Sequence, residues 1–374
     1  MREYLIAGVS MLALSATGAV AQETGTINEH GLNGAAYIDQ SNTLGRADAL
    51  IEQGVQGAAV DSNRDTAAIQ QDEGGRLDAT IYQNADQILP GVGGNNVAGI
   101  TQTNGTGRAT ASIEQAGSRN NGGIVQANAN NDASIGQGDF SDNNDALIKQ
   151  DTSDFSALNA AANTTTSVNF ESTLNAGANN PAGAASNSDA SVSQIFSRGS
   201  SAVALQSGNN QSATINQQDD QQSAFVNQED ANNTAEVDQE FDRNTADVNQ
   251  TGAGNFADVD QIGDLGTVDV DQIGDNNDAL VFQSGTRELA TVIQGGDNNL
   301  ADVEQSSFRS VASVDQSGNR NDADIDQFGD RDVATVDQSG DRNDATILQD
   351  VFNASIGNAT INQTGDNNSA VILE

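Results

Sequence analysis

The sequence predicts an all-β chain, a parallel two-sheet β-solenoid built from 22-residue strand-turn-strand-turn coils. Three observations carry that prediction. Glutamine returns every 11 residues without a break, at Gln206, Gln217, Gln228, Gln239, Gln250, Gln261, Gln272, Gln283, Gln294, Gln305, Gln316, Gln327, Gln338 and Gln349. Val or Ile stands two residues before each of them, except at Ala204, and Ala stands four residues before, except at Val268. Asparagine six residues ahead of the glutamine recurs at every second unit, at Asn233, Asn255, Asn277, Asn299, Asn321 and Asn343. Most of the units between carry something else there: Gly266, Glu288, Ser310 and Asp332.

The strand comes first in the unit. An 11-residue period also suits a right-handed coiled coil, but that pattern needs apolar residues at spacings of three and four. Here Ala323, Ile325 and Gln327 alternate with Asp322, Asp324 and Asp326. Spacing two is the strand period and sends the two sets to opposite faces. Turn-formers such as "QSGNRND" and "QIGDNND" follow, where Gly and Asn supply positive φ without steric cost. The unit is therefore a seven-residue strand and a four-residue turn.

A lone strand of this length cannot bury a face. Stacked coils can, with residues one coil apart lying directly above one another at about 4.8 Å. The narrow core then holds Ala, Val or Ile, and the amides of Gln and Asn. Buried amides are costly unless bonded. In a stack each has an identical neighbour above and below, so the amides ladder along the axis. Gln363 extends the glutamine column after a slip of three residues, and Ala370-Ile372-Glu374 puts Glu where Gln belongs.

Four segments follow. Residues 1–21 read as an export signal, with Arg2, an apolar run from Leu5 to about Ala16, and the small-x-small site Ala19-Val20-Ala21. The run is too short and too diluted for a membrane span. Residues 22–150 hold irregular coils such as Ala79-Ile81-Gln83, Ala111-Ile113-Gln115 and Ala133-Ile135-Gln137, with glutamine steps of 11, 12, 13, 18 and 19. Residues 151–193 are degenerate coils or a loop: Val168-Phe170-Ser172 has strand spacing, and the stretch around Pro181 is loop-like. Residues 194–374 are regular coils. Wound throughout at 22 residues per coil, the chain after residue 21 would make roughly sixteen coils.

Composition narrows the function. With 53 acidic against 14 basic residues, the chain lacks the concentrated Lys and Arg that nucleic acid or anionic lipid requires. It has no cysteine, so an exported fold cannot lean on disulfides. Gln/Asn/Asp/Gly richness alone would suit a disordered or prion-like chain, but disorder holds no register this long. His30 is the only histidine, which excludes a Ser-His-Asp triad and any histidine-based metal site. A glycosidase-type carboxylate pair needs one carboxyl in surroundings unlike the other's, which a repetitive polar surface does not offer. The sequence calls for no cofactor and no catalytic residue. Asn-x-Ser/Thr triplets such as Asn353-Ala354-Ser355 are products of turn composition.

Ser310, Gln316, Gly318, Asn321, Ala323 and Gln327 reproduce the pattern Ser-x5-Gln-x-Gly-x2-Asn-x-Ala-x3-Gln in full. The next coil has Asp332 for Ser, then Gln338, Gly340, Asn343, Ala345 and Gln349. The coil before has Glu288, then Gln294, Gly296, Asn299, Ala301 and Gln305. In tandem these resemble the curlin repeat, closely over about Gln194 to Glu374 and loosely back to about Ala36. The resemblance implies a secreted curli-type subunit of a Gram-negative bacterium that polymerises into extracellular amyloid of the biofilm matrix. Its implied partners are further copies of itself, a nucleating subunit and an outer-membrane secretion apparatus. This chain departs from the family in its many coils, its irregular N-terminal coils and its acidity.

Acidity poses its own problem, because aspartates stacked about 5 Å apart repel. Protonation, bound Ca²⁺ or arginine would relieve this. Arg287, Arg309 and Arg331 recur in one turn and Arg320 and Arg342 in the other, beside turn aspartates. The alternative is a solvated acidic surface that keeps a precursor soluble. "GGDNNLADV" from Gly295 resembles the calcium nonapeptide of toxin-type β-rolls, but lacks its nine-residue period. Two other functions stay open at this point: a monomeric acidic adhesin or cation-binding solenoid, and a β-helical polysaccharide-active enzyme.

Overall fold

The computed structural model describes residues 9–15, 22–29, 31–32, 35–41, 46–53, 62–63, 65–72, 76–84, 95–103, 108–127, 130–138, 143–150, 187–349 and 357–374. Every regular element among them is a β-strand. The chain divides into two compact units, Met1–Asn210 and Gln211–Glu374.

The first unit holds β1 (Val9–Ser15), β2 (Gln22–Glu29), β3 (Gly31–Leu32), β4 (Ala35–Ser41), β5 (Arg46–Gln53), β6 (Ser62–Asn63), β7 (Thr66–Asp72) and β8 (Arg76–Asn84). It continues with β9 (Val97–Thr103), β10 (Arg108–Ala116), β11 (Asn121–Ala127), β12 (Asn131–Gln137), β13 (Asp145–Gln150), β14 (Asp189–Ile195) and β15 (Ser201–Asn209). One parallel sheet, here sheet A, runs β1-β4-β7-β9-β11-β13-β15. The other, sheet B, runs β2-β5-β8-β10-β12-β14, and β3 pairs with β6. Apart from the short β3 and β6, successive strands alternate between sheets A and B, so two strands and two turns make one coil.

The second unit repeats this plan more tightly. It holds β16 (Ser212–Gln218), β17 (Ser223–Ala231), β18 (Thr234–Gln239), β19 (Thr245–Ala253), β20 (Phe256–Gln261), β21 (Thr267–Ile273) and β22 (Asp278–Gln283). There follow β23 (Leu289–Gly295), β24 (Leu300–Gln305), β25 (Val311–Ser317), β26 (Asp322–Gln327), β27 (Val333–Ser339), β28 (Asp344–Gln349), β29 (Asn358–Thr364) and β30 (Ser369–Leu373). Odd-numbered strands form sheet A and even-numbered strands sheet B.

Register follows the sequence triplet. Ala79, Ile81 and Gln83 stand opposite Ala111, Ile113 and Gln115, as Ala323, Ile325 and Gln327 stand opposite Ala345, Ile347 and Gln349. These residues are buried while their alternates face outward, as strand pleating requires. The core is thus one residue of Ala, one aliphatic and one amide deep from each strand.

Coil length differs from the uniform 22. Early glutamines in one column are 31 residues apart, as Gln40 to Gln71 and Gln71 to Gln102. The chain therefore winds fewer coils than a uniform period implies. β12 pairs directly with β14, and β13 with β15, across the 151–186 stretch. That stretch, including Val168-Phe170-Ser172 and Pro181, lies outside the described residues.

Candidate functional site: the glutamine columns and the coil edges

Between the ends of a column the glutamine amide is fully used, as at Gln250. The Nε2 of Gln250 donates to Gln272 Oε1 at 2.8 Å and to the Thr234 carbonyl across the core at 3.0 Å. Its own Oε1 accepts from Gln228 Nε2 at 2.9 Å. The same triple arrangement recurs through Gln294, Gln316 and Gln338 to Gln363 in sheet A. In sheet B it runs from Gln217 through Gln239, Gln261, Gln283, Gln305 and Gln327 to Gln349. An orphaned buried donor or acceptor costs about 1–3 kcal/mol, so a partner of identical geometry one coil away is what makes glutamine tolerable here. Gln206 is likewise buried and receives Gln150 in the first unit.

The columns have a direction. From Gln228 to Gln363 in one sheet and from Gln217 to Gln349 in the other, each Nε2 points to the Oε1 of the coil that follows. Column ends are therefore unlike. Gln40 Oε1 and Gln53 Oε1, the first rungs, are buried and have no donor among the described residues. At the far end Gln349 donates to Glu374 Oε2 at 3.0 Å. A carboxylate accepts but carries no N–H to pass on.

The asparagines behave differently from the sequence expectation of amide on amide. Asn255 Oδ1 accepts the backbone N–H of Asn277 at 2.9 Å, while its Nδ2 donates to the Gly274 carbonyl at 2.9 Å. Asn233, Asn277, Asn299 and Asn321 repeat the pattern, each Oδ1 taking the next coil's backbone N–H. Asn343 accepts Asn368 N–H in the same way. The amide thus ties a turn to the turn below it. The turns approach so closely that a Cβ on Gly274, Gly296 or Gly318 would collide with the next glycine's carbonyl oxygen. These glycines hold φ of 103–120°.

The expected relief of turn aspartates by arginine is corrected. Arg287, Arg309, Arg331, Arg320 and Arg342 take part in none of the ion pairs among the described residues, which are Arg46–Asp48 and Arg76–Asp78. They sit instead at the left-handed turn position, φ 58–65°, that Asn276 and Asn298 fill in other coils. Arg309 lies over the Phe308 ring, 4.8 Å from its centre. The turn aspartates are held by backbone: the Asp275 N–H donates to Asp297 Oδ1, and the Asp341 N–H to Asp366 Oδ1, each at 3.0 Å.

On the outer face of sheet B the carboxylates stack unrelieved, Asp302 opposite Asp324 and Glu304 opposite Asp326. Partial burial, then Asp326, Asp302, Asp322 and Asp344, push the Asp324 carboxyl up to about 6. Burial also raises Asp258, Asp260, Asp302 and Asp326. In sheet A an amide softens the contact, Asn249 Nδ2 donating to both Asp247 and Asp271. Among the described residues no group of three or more carboxylate or histidine side chains is arranged to hold a metal ion.

The 22-residue count passes over a second set of rungs. Gln40, Gln71, Gln102, Gln126 and Gln150 form one column of the first unit, and Gln53, Gln83, Gln115, Gln137 and Gln194 the other. Asn96, Asn120 and Asn144 tie its turns, six residues before Gln102, Gln126 and Gln150. The signal was local: Ala36-x-Ile38-x-Gln40, Ala49-x-Ile51-x-Gln53, Ala67-x-Ile69-x-Gln71 and Ala98-x-Ile100-x-Gln102 spell the same triplet without any fixed period.

Five segments match the model of the curlin associated repeat: residues 231–263, 242–274, 274–306, 296–329 and 318–350. All lie in the second unit, and together they cover its regular coils from 231 to 350. A search of curated proteins finds no match.

Proposed function

We propose that this chain, whose residues 231–350 are curlin repeats, is a structural subunit that self-assembles outside the cell into curli-like amyloid fibres of a biofilm matrix. The observation that carries this is the glutamine column: each interior coil meets its neighbour through two strand edges and two aligned amides, a template for another coil of the same kind. Export fits residues 1–21, and a nucleating subunit and an outer-membrane secretion apparatus are the partners such a subunit needs. No catalytic role is assigned, since the curlin-repeat family is one of structural subunits.

Purified protein, followed by thioflavin fluorescence and fibre diffraction, tests the reading. Fibres with a meridional spacing of about 4.7–4.8 Å are expected. A second reading draws on the stacked carboxylates of sheet B: a monomeric acidic adhesin that takes Ca²⁺ on that face. Folded monomers that persist, and bind surfaces only with calcium present, would favour it.

A further inference from the structure

Arginine makes a column of its own on one edge of the second unit. Arg287, Arg309 and Arg331 stand in successive turns, each just before a buried side chain, Glu288, Ser310 and Asp332. The Arg309 N–H donates to the Thr286 carbonyl at 3.0 Å and the Arg331 N–H to the Phe308 carbonyl at 2.8 Å. The three are therefore held one coil apart, about 4.8 Å. All are exposed, and none is in an ion pair among the described residues. Glu288 and Asp332 turn inward onto backbone, accepting the Gly285 and Gly357 N–H groups, each at 2.8 Å. Asp330 is the one exposed acid in these three turns. Two costs thus go without an offset. The backbone at the arginines is left-handed, φ 64–65°, where Gly or Asn is at ease and a long side chain is not. Stacked guanidiniums also repel one another. The turn itself does not require arginine, since Gln221 and Leu265 fill the same place in earlier coils, both at φ 61°. A residue that breaks local preference with no compensating contact points to function.

We propose that this arginine column binds a linear carboxylated polysaccharide, a polyuronate, laid along the solenoid edge. The site needs only the folded coils, so it goes beyond the fibre reading and does not depend on it. Guanidinium pairs with carboxylate through two parallel N–H groups. An extended polyuronate carries one carboxylate per sugar, at a repeat comparable to the coil rise, so consecutive or alternate carboxylates fall on the column. Arg309 lies over the Phe308 ring, 4.8 Å from its centre, which occupies the face of the guanidinium and leaves its in-plane N–H groups for a ligand. Hydroxyls flank the column in the same turns: Ser284 Oγ donates to Ser306 Oγ at 2.8 Å, with Thr286 and Ser307 beside them. A sugar chain offers hydroxyls to meet these. Duplex nucleic acid fits less well, because it carries a charge about every 1.7 Å of its axis. Three guanidiniums cannot balance that density in a chain of net charge -39.

Calorimetric titration of the full chain with polygalacturonate at low salt tests this. The unmodified protein should bind, and binding should fade as salt is raised. Replacing all three residues, Arg287→Gln with Arg309→Gln and Arg331→Gln, should weaken binding about tenfold, the sum of three exposed ion pairs. The turn accepts that change, since Gln221 already holds the position. Arg320→Gln with Arg342→Gln removes two charges elsewhere and should leave binding nearly unchanged. Four results would overturn the proposal: no binding by the unmodified protein, no loss in the triple variant, an equal loss in the double variant, or equal binding of the methyl-esterified polymer. Tighter binding of inorganic polyphosphate would also overturn it, by assigning the column to phosphate instead of a sugar carboxylate. If the triple variant loses self-association while the unmodified protein ignores polygalacturonate, the column serves a second copy of the chain and the proposal fails.

Discussion

The two units use one rung and two kinds of turn. In the second unit neighbouring rungs of a column are 22 residues apart throughout β16–β28. In the first they are 30, 32, 22 and 57 residues apart in sheet B, yet their amide contacts span only 2.8–2.9 Å. The rung is fixed by hydrogen-bond geometry, whereas turn length is a matter of loop closure, which grows costly only slowly with added residues. The aliphatics differ as well. The first unit mostly buries Ile, as at Ile38, Ile51, Ile69, Ile81, Ile100, Ile113, Ile124, Ile135 and Ile148, whereas the second buries it at Ile215, Ile325, Ile347 and Ile361. The second mostly buries Val, as at Val237, Val259, Val281 and Val303. Each extra methylene contributes about 0.8 kcal/mol, so the irregular unit leans on apolar burial and the regular one on ordered turns.

That contrast can be broken at the turns first. Gly318→Ala should destabilise the coils around β25–β28 by about 3 kcal/mol or more, since φ is 120° and the new Cβ meets the Gly340 carbonyl. Hydrogen exchange read strand by strand should show the protection lost there and kept in β4–β13. A global loss instead would mean that the units do not unfold separately.

Removing a rung should cost the two units alike. Gln294→Leu and Gln102→Leu each orphan a donor on one neighbour and an acceptor on the other, worth about 2–5 kcal/mol together. Exchange protection of the flanking strands should fall equally in both. A markedly smaller effect at Gln102 would show that the first unit's Ile column, not its amides, holds the coil.

Turn length should matter least where it is already irregular. Shortening the β8–β9 connection by two residues should change stability by less than about 1 kcal/mol. Deleting Asn298, which holds the left-handed turn position in the second unit, should shift the register below it and unfold the neighbouring coils. Comparable tolerance at both places would dissolve the distinction.

The smallest effect concerns pH. Asp324 binds its proton more tightly in the fold than in the unfolded chain, about 6 against an ordinary value near 4. Stability from this group is fully present below the unfolded value and is lost as pH rises through about 6. Urea midpoints should therefore rise between pH 7 and pH 4.5, and Asp324→Asn should flatten that rise. A midpoint that falls on acidification would reverse the sign.

Much of this was legible in the sequence. Ala323-Ile325-Gln327 against Asp322-Asp324-Asp326 determined strand, face and register, because side-chain alternation by two is a property of the extended backbone itself. The recurrence of Gln determined that its partner is another Gln, since an amide can both give and take and finds its match one coil away. Only the tertiary structure decided the rest. That Asn255 grips a backbone N–H rather than Asn277's amide depends on how closely one turn sits on the next. That Arg320 serves as a left-handed turn residue and not as a counter-ion depends on the backbone N–H groups reaching the turn aspartates first. The direction of the columns, and with it the difference between the two coil edges, appears only when the coils are stacked, because a sequence lists amides without saying which way they point.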